Sequence, residues 1–125
     1  MPPSRPVAIT VASEQEPIEV SGVYAERDGG FVLEFSIERD RFTIDHSPST
    51  TRIAAVGGLS YDISLSEKES STLLSTPYGN IRFAVTPVLR DVVTSNDGLA
   101  IVLEYVLTSA DGEKIKRSVD IKVRF

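Results

Sequence analysis

The last twenty-eight residues, Gly98 to Phe125, read GLAIVLEYVLTSADGEKIKRSVDIKVRF, and the rest of the chain is organised around them. Apolar residues take every second position on both sides of a turn at Ala110-Asp111-Gly112, which is the period of a strand with one buried face. On the second arm the other positions are polar, mostly charged: Lys114, Lys116, Ser118, Asp120, Lys122 and Arg124. The stretch is therefore predicted to be a β-hairpin with an apolar face and a solvated face.

The turn of this hairpin sets the pairing of its two arms. Odd-numbered residues are apolar on both arms, so the loop must have an odd length. A type I turn at Ala110-Asp111 followed by Gly112 in the left-handed region provides such a loop and forms a glycine bulge. This register places Tyr105 opposite Arg117, the only charge on the apolar side of the last strand.

Alternation and turn residues predict further strands along the chain. The reversals at Asp28-Gly29-Gly30 and Arg39-Asp40 are each followed by a switch of apolar parity, as two-residue loops require. The motif Thr76-Pro77-Tyr78-Gly79 has Pro at the second and Gly at the fourth place of a type I turn. Pro87 is predicted to end or bend its strand. The segment Val88 to Thr94 has an ambiguous period and is assigned to a strand.

These patterns predict an all-β protein. No stretch of ten or more residues keeps a helical period with caps, whereas eight to ten short strands are separated by turn signals. Because the strands have one apolar face and mostly hairpin links, a closed antiparallel up-and-down β-barrel is expected, and closure removes exposed edges. Residues 1–6 are predicted to be a disordered N-terminal lead and residues 7–125 a single barrel domain.

The composition argues against several classes of function. The chain has 125 residues, no cysteine and a net charge of −5. Without cysteine there are no disulfides, thiol nucleophiles or cysteine-ligated metals, and a negative chain is poorly suited to binding nucleic acid, which depends on Lys and Arg at the phosphates. No apolar run approaches the ~20 residues of a membrane span, and the N-terminus does not resemble a signal peptide. A cytoplasmic location is expected.

Catalysis has little support in the sequence. The single histidine, His46, stands between Asp45 and Ser47, but neighbours in a strand point to opposite faces and do not build a triad. One histidine without cysteine also predicts no metal site, and no cofactor is expected. His46 is interpreted as a surface-loop residue and the protein as non-enzymatic.

Three segments carry a resemblance to a known family. They are Phe31-Val32-Leu33-Glu34-Phe35, the Thr76-Pro77-Tyr78-Gly79 turn, and Leu103-Glu104-Tyr105-Val106-Leu107 followed by Gly112 and an alternating last strand. In these segments the chain resembles the YwiB-like family of uncharacterised bacterial proteins, which have a calycin-type β-barrel. The resemblance implies a closed antiparallel barrel related in shape to lipocalins and fatty-acid-binding proteins, and it brings no established activity.

Four residues are candidates for a ligand site inside such a barrel. In the functional interpretation, Arg117 and the hydroxyl of Tyr105 bind the carboxylate or phosphate of a small amphipathic or lipid-like ligand, with Tyr24 and Tyr61 as further polar groups. In the structural interpretation, Arg117 lies near the barrel mouth with its head in water or paired to an acidic residue. The tyrosines then satisfy their hydroxyls locally.

Two non-enzymatic functions follow from these interpretations. A carrier, the preferred hypothesis, would hold the apolar part of its ligand along Phe35, Leu103 and Ile121 and would contain a cavity of a few hundred Å³. The alternative is a protein-interaction or structural module with a filled interior and an exposed apolar patch that includes Val102 and Val106. The sequence does not identify a protein partner.

Overall fold

The computed structural model describes residues 4–12, 16–27 and 29–125. This part of the chain forms ten strands: β1 (Arg5–Ala12), β2 (Ile18–Arg27), β3 (Gly30–Ile37), β4 (Asp40–His46), β5 (Thr51–Val56), β6 (Tyr61–Leu65), β7 (Ser70–Thr76), β8 (Gly79–Ser95), β9 (Gly98–Thr108) and β10 (Lys114–Arg124). Within it, no helix is both long and apolar enough to cross a membrane.

The strands follow one another around a single antiparallel sheet. Its order is β6-β5-β4-β3-β2-β1-β10-β9-β8-β7, so each strand except at the ends of this list lies between its neighbours in sequence, with β10 beside β1. The end strands, β6 and β7, meet at an isolated antiparallel bridge between Ser60 and Ser75. The prediction of an all-β up-and-down barrel is confirmed, and the barrel is nearly closed.

The last hairpin has the predicted register. Tyr105 lies opposite Arg117, and the N–H of Gly112 donates to the carbonyl of Ser109 at 3.0 Å, closing the turn over Ala110-Asp111. Gly112 has φ 85°, a left-handed conformation that glycine adopts without the steric cost of a Cβ.

The β2–β3 and β3–β4 turns have the predicted even loop length, but the β3–β4 turn is displaced from its predicted position by one residue. Ile37 pairs with Asp40, so the β3–β4 turn is Glu38-Arg39, one residue before the predicted Arg39-Asp40. Parity restricts the loop to an even length but does not locate it. In the β2–β3 reversal Arg27 pairs with Gly30, Gly29 has φ 74°, and Asp28 lies outside the described residues.

The N-terminal strand begins earlier than predicted. Arg5 and Pro6, assigned to a disordered lead, belong to β1 and pair with Tyr24 and Val23 of β2. Residues 1–3 of that lead lie outside the described residues. The ladder thus extends two residues beyond Val7, where the apolar alternation starts.

Strand β8 runs through Pro87 and changes face there. The register against β9 shifts between Pro87 and Leu89, so the strand bends at a bulge and does not end. Before the bulge, odd-numbered Val85 points into the barrel, whereas after it Arg90 lies opposite the buried Leu103. The strand assignment of Val88 to Thr94 is therefore confirmed, and the bulge explains why its period was ambiguous.

The interior of the barrel is packed with side chains. Nine of them are essentially inaccessible: Ile9, Leu33, Ile44, Leu65, Ile101, Leu103, Ile121, Val85 and Thr51. The accessible surface of Leu33, Leu65 and Leu103 is 0 %, so no water-sized space touches them. Close packing of this kind leaves few voids larger than a water molecule.

The hairpin connections alternate between the two ends of the barrel. The β2–β3, β4–β5, β6–β7 and β8–β9 connections form one end, called here the His46 end. The β3–β4, β5–β6, β7–β8 and β9–β10 connections form the opposite end, called the Arg117 end. This division separates the candidate site residues.

Candidate functional site

The structure brings together three of the four predicted site residues. Arg117 and Tyr105 form one cross-strand pair near the β9–β10 connection, and Tyr61 is the first residue of β6. All three lie toward the Arg117 end. Tyr24 lies toward the His46 end, where its ring centroid is 4.9 Å from that of Phe125.

Arg117 shares the inner face of the sheet with Tyr105, but the two differ in exposure. Tyr105 is buried, whereas Arg117 is exposed, because the last hairpin extends to the rim of the barrel. Burial raises the pKa of Tyr61, while the positive charge of Arg117 lowers it and Asp40 raises it. Arg117 is therefore within electrostatic reach of Tyr61 at the barrel mouth, and its role in binding a ligand stays a prediction.

The predicted path for the apolar part of a ligand is occupied by the protein itself. Leu103 and Ile121 are 0 % and 1 % exposed, and Phe35 is also buried. The ring of Phe35 stacks on that of Phe42 with centroids 5.3 Å apart. A ligand along these side chains would have to displace them.

At the His46 end the structure has an open cleft that the sequence did not indicate. Its volume is about 360 Å³, and its lining is formed by Tyr24, Glu26, Arg27, Gly29, Gly30, Phe31, His46, Val92 and Thr94. The centroids of the Tyr24 and Phe31 rings are 5.6 Å apart. The cleft thus combines aromatic walls with polar groups.

Tyr24 is held in this wall by other aromatic and cationic contacts. The guanidinium of Arg5 lies 5.2 Å from the Tyr24 ring and 4.0 Å from that of Phe125, a geometry that attracts a cation to a π-face. Burial raises the pKa of Tyr24, Glu26 acts in the same direction and Arg5 opposes them. The Tyr24 hydroxyl is therefore protonated at neutral pH.

His46 is the last residue of β4 and is half-buried, so its interpretation as a surface-loop residue was wrong. The hairpin ladder extends to the His46–Thr51 pair, which leaves only residues 47–50 in the loop. The His46 ring lies 5.1 Å from that of Phe31, and its Nδ1 is 2.8 Å from the hydroxyl of the buried Thr51.

Arg90 completes this arrangement from the other side of the barrel. Its guanidinium donates to the carbonyls of Ser47 at 3.3 Å and Pro48 at 2.9 Å, and to the Thr51 hydroxyl at 3.3 Å. A guanidinium only donates, so the Thr51 hydroxyl accepts from Arg90, and its contact with Nδ1 joins His46 to the same network.

The same network keeps His46 neutral. Burial lowers the pKa of His46, the charge of Arg90 lowers it further, and Asp45 raises it. Asp45 itself pairs with Arg27 on the neighbouring hairpin. The result at neutral pH is an uncharged imidazole whose Nδ1 is held at the Thr51 hydroxyl.

The sequence pattern did not indicate Arg90, because the bulge after Pro87 changes which residues of β8 point into the barrel. The signal was the proline inside an otherwise strand-like segment, since proline in a strand marks a bulge or an edge. A change of parity after Pro87 puts Arg90, Val92 and Thr94 on one face, and the last two line the cleft.

Comparisons with known proteins bear on the fold. No family model matches the sequence, and no curated protein matches it significantly. The crystal structure of YwiB from Bacillus subtilis is similar to this chain with a TM-score of 0.76, over 97 % of this chain and 92 % of that one, at 12 % sequence identity. This likeness shows a YwiB-like barrel fold and does not extend to function.

Proposed function

We propose that this chain is a non-enzymatic binding protein that holds a small amphipathic ligand in the cleft at the His46 end. The observation that carries the proposal is the convergence of Tyr24, Phe31 and His46 on one open cleft of about 360 Å³. Ligand sites are typically concave, lined by apolar and aromatic side chains, and equipped with a few oriented polar groups. This site lies at the barrel end, in contrast to the packed interior.

The groups of the cleft favour a ligand with an uncharged head that accepts hydrogen bonds. With the imidazole proton on Nε2, His46 is a donor, as is the Tyr24 hydroxyl, and a carbonyl or ether oxygen of the ligand would accept from them. A full negative charge on the ligand is disfavoured, because the Arg27 cation at the cleft is paired with Asp45 and the Glu26 carboxylate also lines the cleft. The apolar body of the ligand would lie against Phe31 and Val92, and the volume suits a molecule at the small end of the usual range.

Membership of the YwiB-like family belongs to the same proposal, together with a bacterial origin and a cytoplasmic location. It is supported by the fold likeness and by the three segments that carry the sequence resemblance. The absence of enzymatic activity is inferred from the bonding of His46. Its Nδ1 faces the hydroxyl of Thr51, whereas the neighbouring Asp45 pairs with Arg27, so His46 lacks the carboxylate that orients a catalytic histidine in a triad.

Native mass spectrometry of the protein purified from its source organism tests the proposal. We expect a bound mass of a few hundred daltons that is lost in His46→Ala and retained in Arg117→Ala. His46→Gln is the conservative variant, because its amide keeps a donor, and it should retain part of the ligand. If the bound mass is lost in Arg117→Ala but kept in His46→Ala, the ligand site lies at the Arg117 end. A protein that flies at its bare mass would refute a stable ligand complex.

The packed interior and one outer surface favour a second candidate, a protein-interaction module. Val88, Leu89 and Val93 on the outside of β8 are 53 %, 42 % and 58 % exposed, and they lie near the half-buried Val102 and Val106 of β9. Asp91 lies between Leu89 and Val93 on this face, and exposed apolar side chains with polar neighbours often mark an interaction site. A partner that is captured by the native protein and by His46→Ala, but not by Leu89→Lys/Val93→Lys, would support this function.

A further inference from the structure

One seam of the barrel differs from all its other strand contacts. Neighbouring strands elsewhere pair through ladders of five or more residue pairs, of which the β8–β9 ladder contains one bulge. Across β6 and β7, within the described chain, the backbone bonds are those of one bridge. The N–H of Ser60 donates to the Ser75 carbonyl at 3.0 Å, and the N–H of Ser75 to the Ser60 carbonyl at 2.8 Å.

Side-chain hydroxyls take the place of the ladder beyond this bridge. Thr72 donates through Oγ1 to the carbonyl of Asp62 at 2.9 Å, and Ser70 through Oγ to the carbonyl of Ser64 at 3.0 Å. In a continued antiparallel ladder these carbonyls would accept backbone N–H groups of β7. Strands β6 and β7 therefore diverge from Ser60 and Ser75 toward the connection that joins them.

We infer that the barrel opens at this β6–β7 seam while its other ladders stay closed. Local opening costs least where few backbone bonds and few packed groups have to separate. Here two backbone bonds and two hydroxyl bonds hold the strands, and water can replace both hydroxyl bonds once Thr72, which is buried, becomes wet. Opening exposes interior side chains beside the seam, among them Leu65 of β6. The inference is independent of the ligand cleft.

Thiol labelling of buried cysteines measures the opening directly, because the native chain has no cysteine. Leu65→Cys reports on the seam, and Leu33→Cys is its matched control. Both side chains are leucines with 0 % exposure, but Leu33 lies in β3 between two continuous ladders. We expect the thiol at position 65 to react with a disulfide reagent at least tenfold faster than the thiol at position 33, when urea unfolding shows the two variants to be equally stable.

Weakening the seam should increase this difference. Thr72→Val removes the hydroxyl bond at nearly constant shape and should raise the labelling rate of Leu65→Cys at least threefold. In Leu33→Cys the same substitution should change the labelling rate only as much as it changes the global stability. Equal labelling rates at the two positions, both matching global unfolding, would overturn the inference. If Leu65→Cys fails to fold, Ile63→Cys in β6 and Ile44→Cys in β4 form a second matched pair. Both are isoleucines, 3 % and 1 % exposed, and Ile44 lies between two continuous ladders.

Discussion

Replacing Arg90 by methionine should destabilise the protein by about 2 kcal/mol, and the number follows from its contacts. A hydrogen bond to a charged group contributes about 1.5–3 kcal/mol when it is well formed. Two of the three Arg90 bonds, to Ser47 and Thr51, are 3.3 Å long and exceed the usual 2.7–3.2 Å. The third, to Pro48, is 2.9 Å but exposed. Their sum is therefore expected to equal roughly one good charged bond.

Thermal and urea unfolding at pH 7, followed by circular dichroism, measure this loss. Unfolding entropy is about 2.1 cal/mol/K per residue, so for 125 residues a loss of about 2 kcal/mol lowers Tm by about 8 °C. The control is Arg82→Met, an exposed arginine earlier on β8, which should stay within about 0.5 kcal/mol of the native protein. A loss below about 0.5 kcal/mol in Arg90→Met would refute the view that Arg90 ties β8 to the β4–β5 connection.

The same variant tests the electrostatics of the cleft. The charge of Arg90 lowers the pKa of His46, so Arg90→Met should raise that pKa, as measured by NMR titration of the single imidazole. An unchanged or lower pKa would mean that Arg90 does not act on His46 as the network implies.

Three further predictions concern stability. The pKa of His46 is lowered in the folded state, so below about pH 6.5 the unfolded state binds more protons and the free energy of unfolding decreases as the pH is lowered. Urea unfolding between pH 7.5 and 5 should show a smaller decrease in His46→Gln than in the native protein. Glu38 has φ 56°, which costs a non-glycine residue roughly 1–2 kcal/mol. Glu38→Gly removes this strain but also increases the conformational entropy of the unfolded chain, so it should stabilise the protein by about 0.5 kcal/mol in total. A lower denaturation midpoint would contradict this. In Gly22→Ala the new Cβ would overlap Ile9 Cδ1 and the Glu34 carbonyl oxygen. A loss of about 1–3 kcal/mol in urea unfolding is expected from overpacking, and full native stability would contradict this expectation.

Local patterns in the sequence were sufficient for the strands and for most of their pairing. The alternation from Gly98 to Phe125 and the odd loop at Gly112 predicted that Tyr105 faces Arg117, which the ladder confirms. The turn at Thr76-Pro77-Tyr78-Gly79 also lies where its residues indicate, with Thr76 paired to Gly79. These features depend on side-chain period and turn geometry, both of which act over a few neighbouring residues.

The candidate sites were decided by closure of the barrel. Parity states which face of the sheet a residue is on, but not how far along the barrel it lies, so Arg117 was correctly placed on the inner face and only the structure shows that it is exposed at the rim. His46 and Tyr24 meet at one cleft because separate hairpins come together at the same end.

Residue patterns were sufficient to predict the all-β class, the strands and the register of the last hairpin, because each of these rests on short-range stereochemistry. Tertiary structure alone decided the face of Arg90, its bonds to a loop some forty residues distant in sequence, and the incomplete ladder between β6 and β7. The physical reason is that a bulge reverses side-chain direction beyond it, and that the strands at either side of a barrel's closing seam meet only where the accumulated twist and stagger of the whole sheet allow.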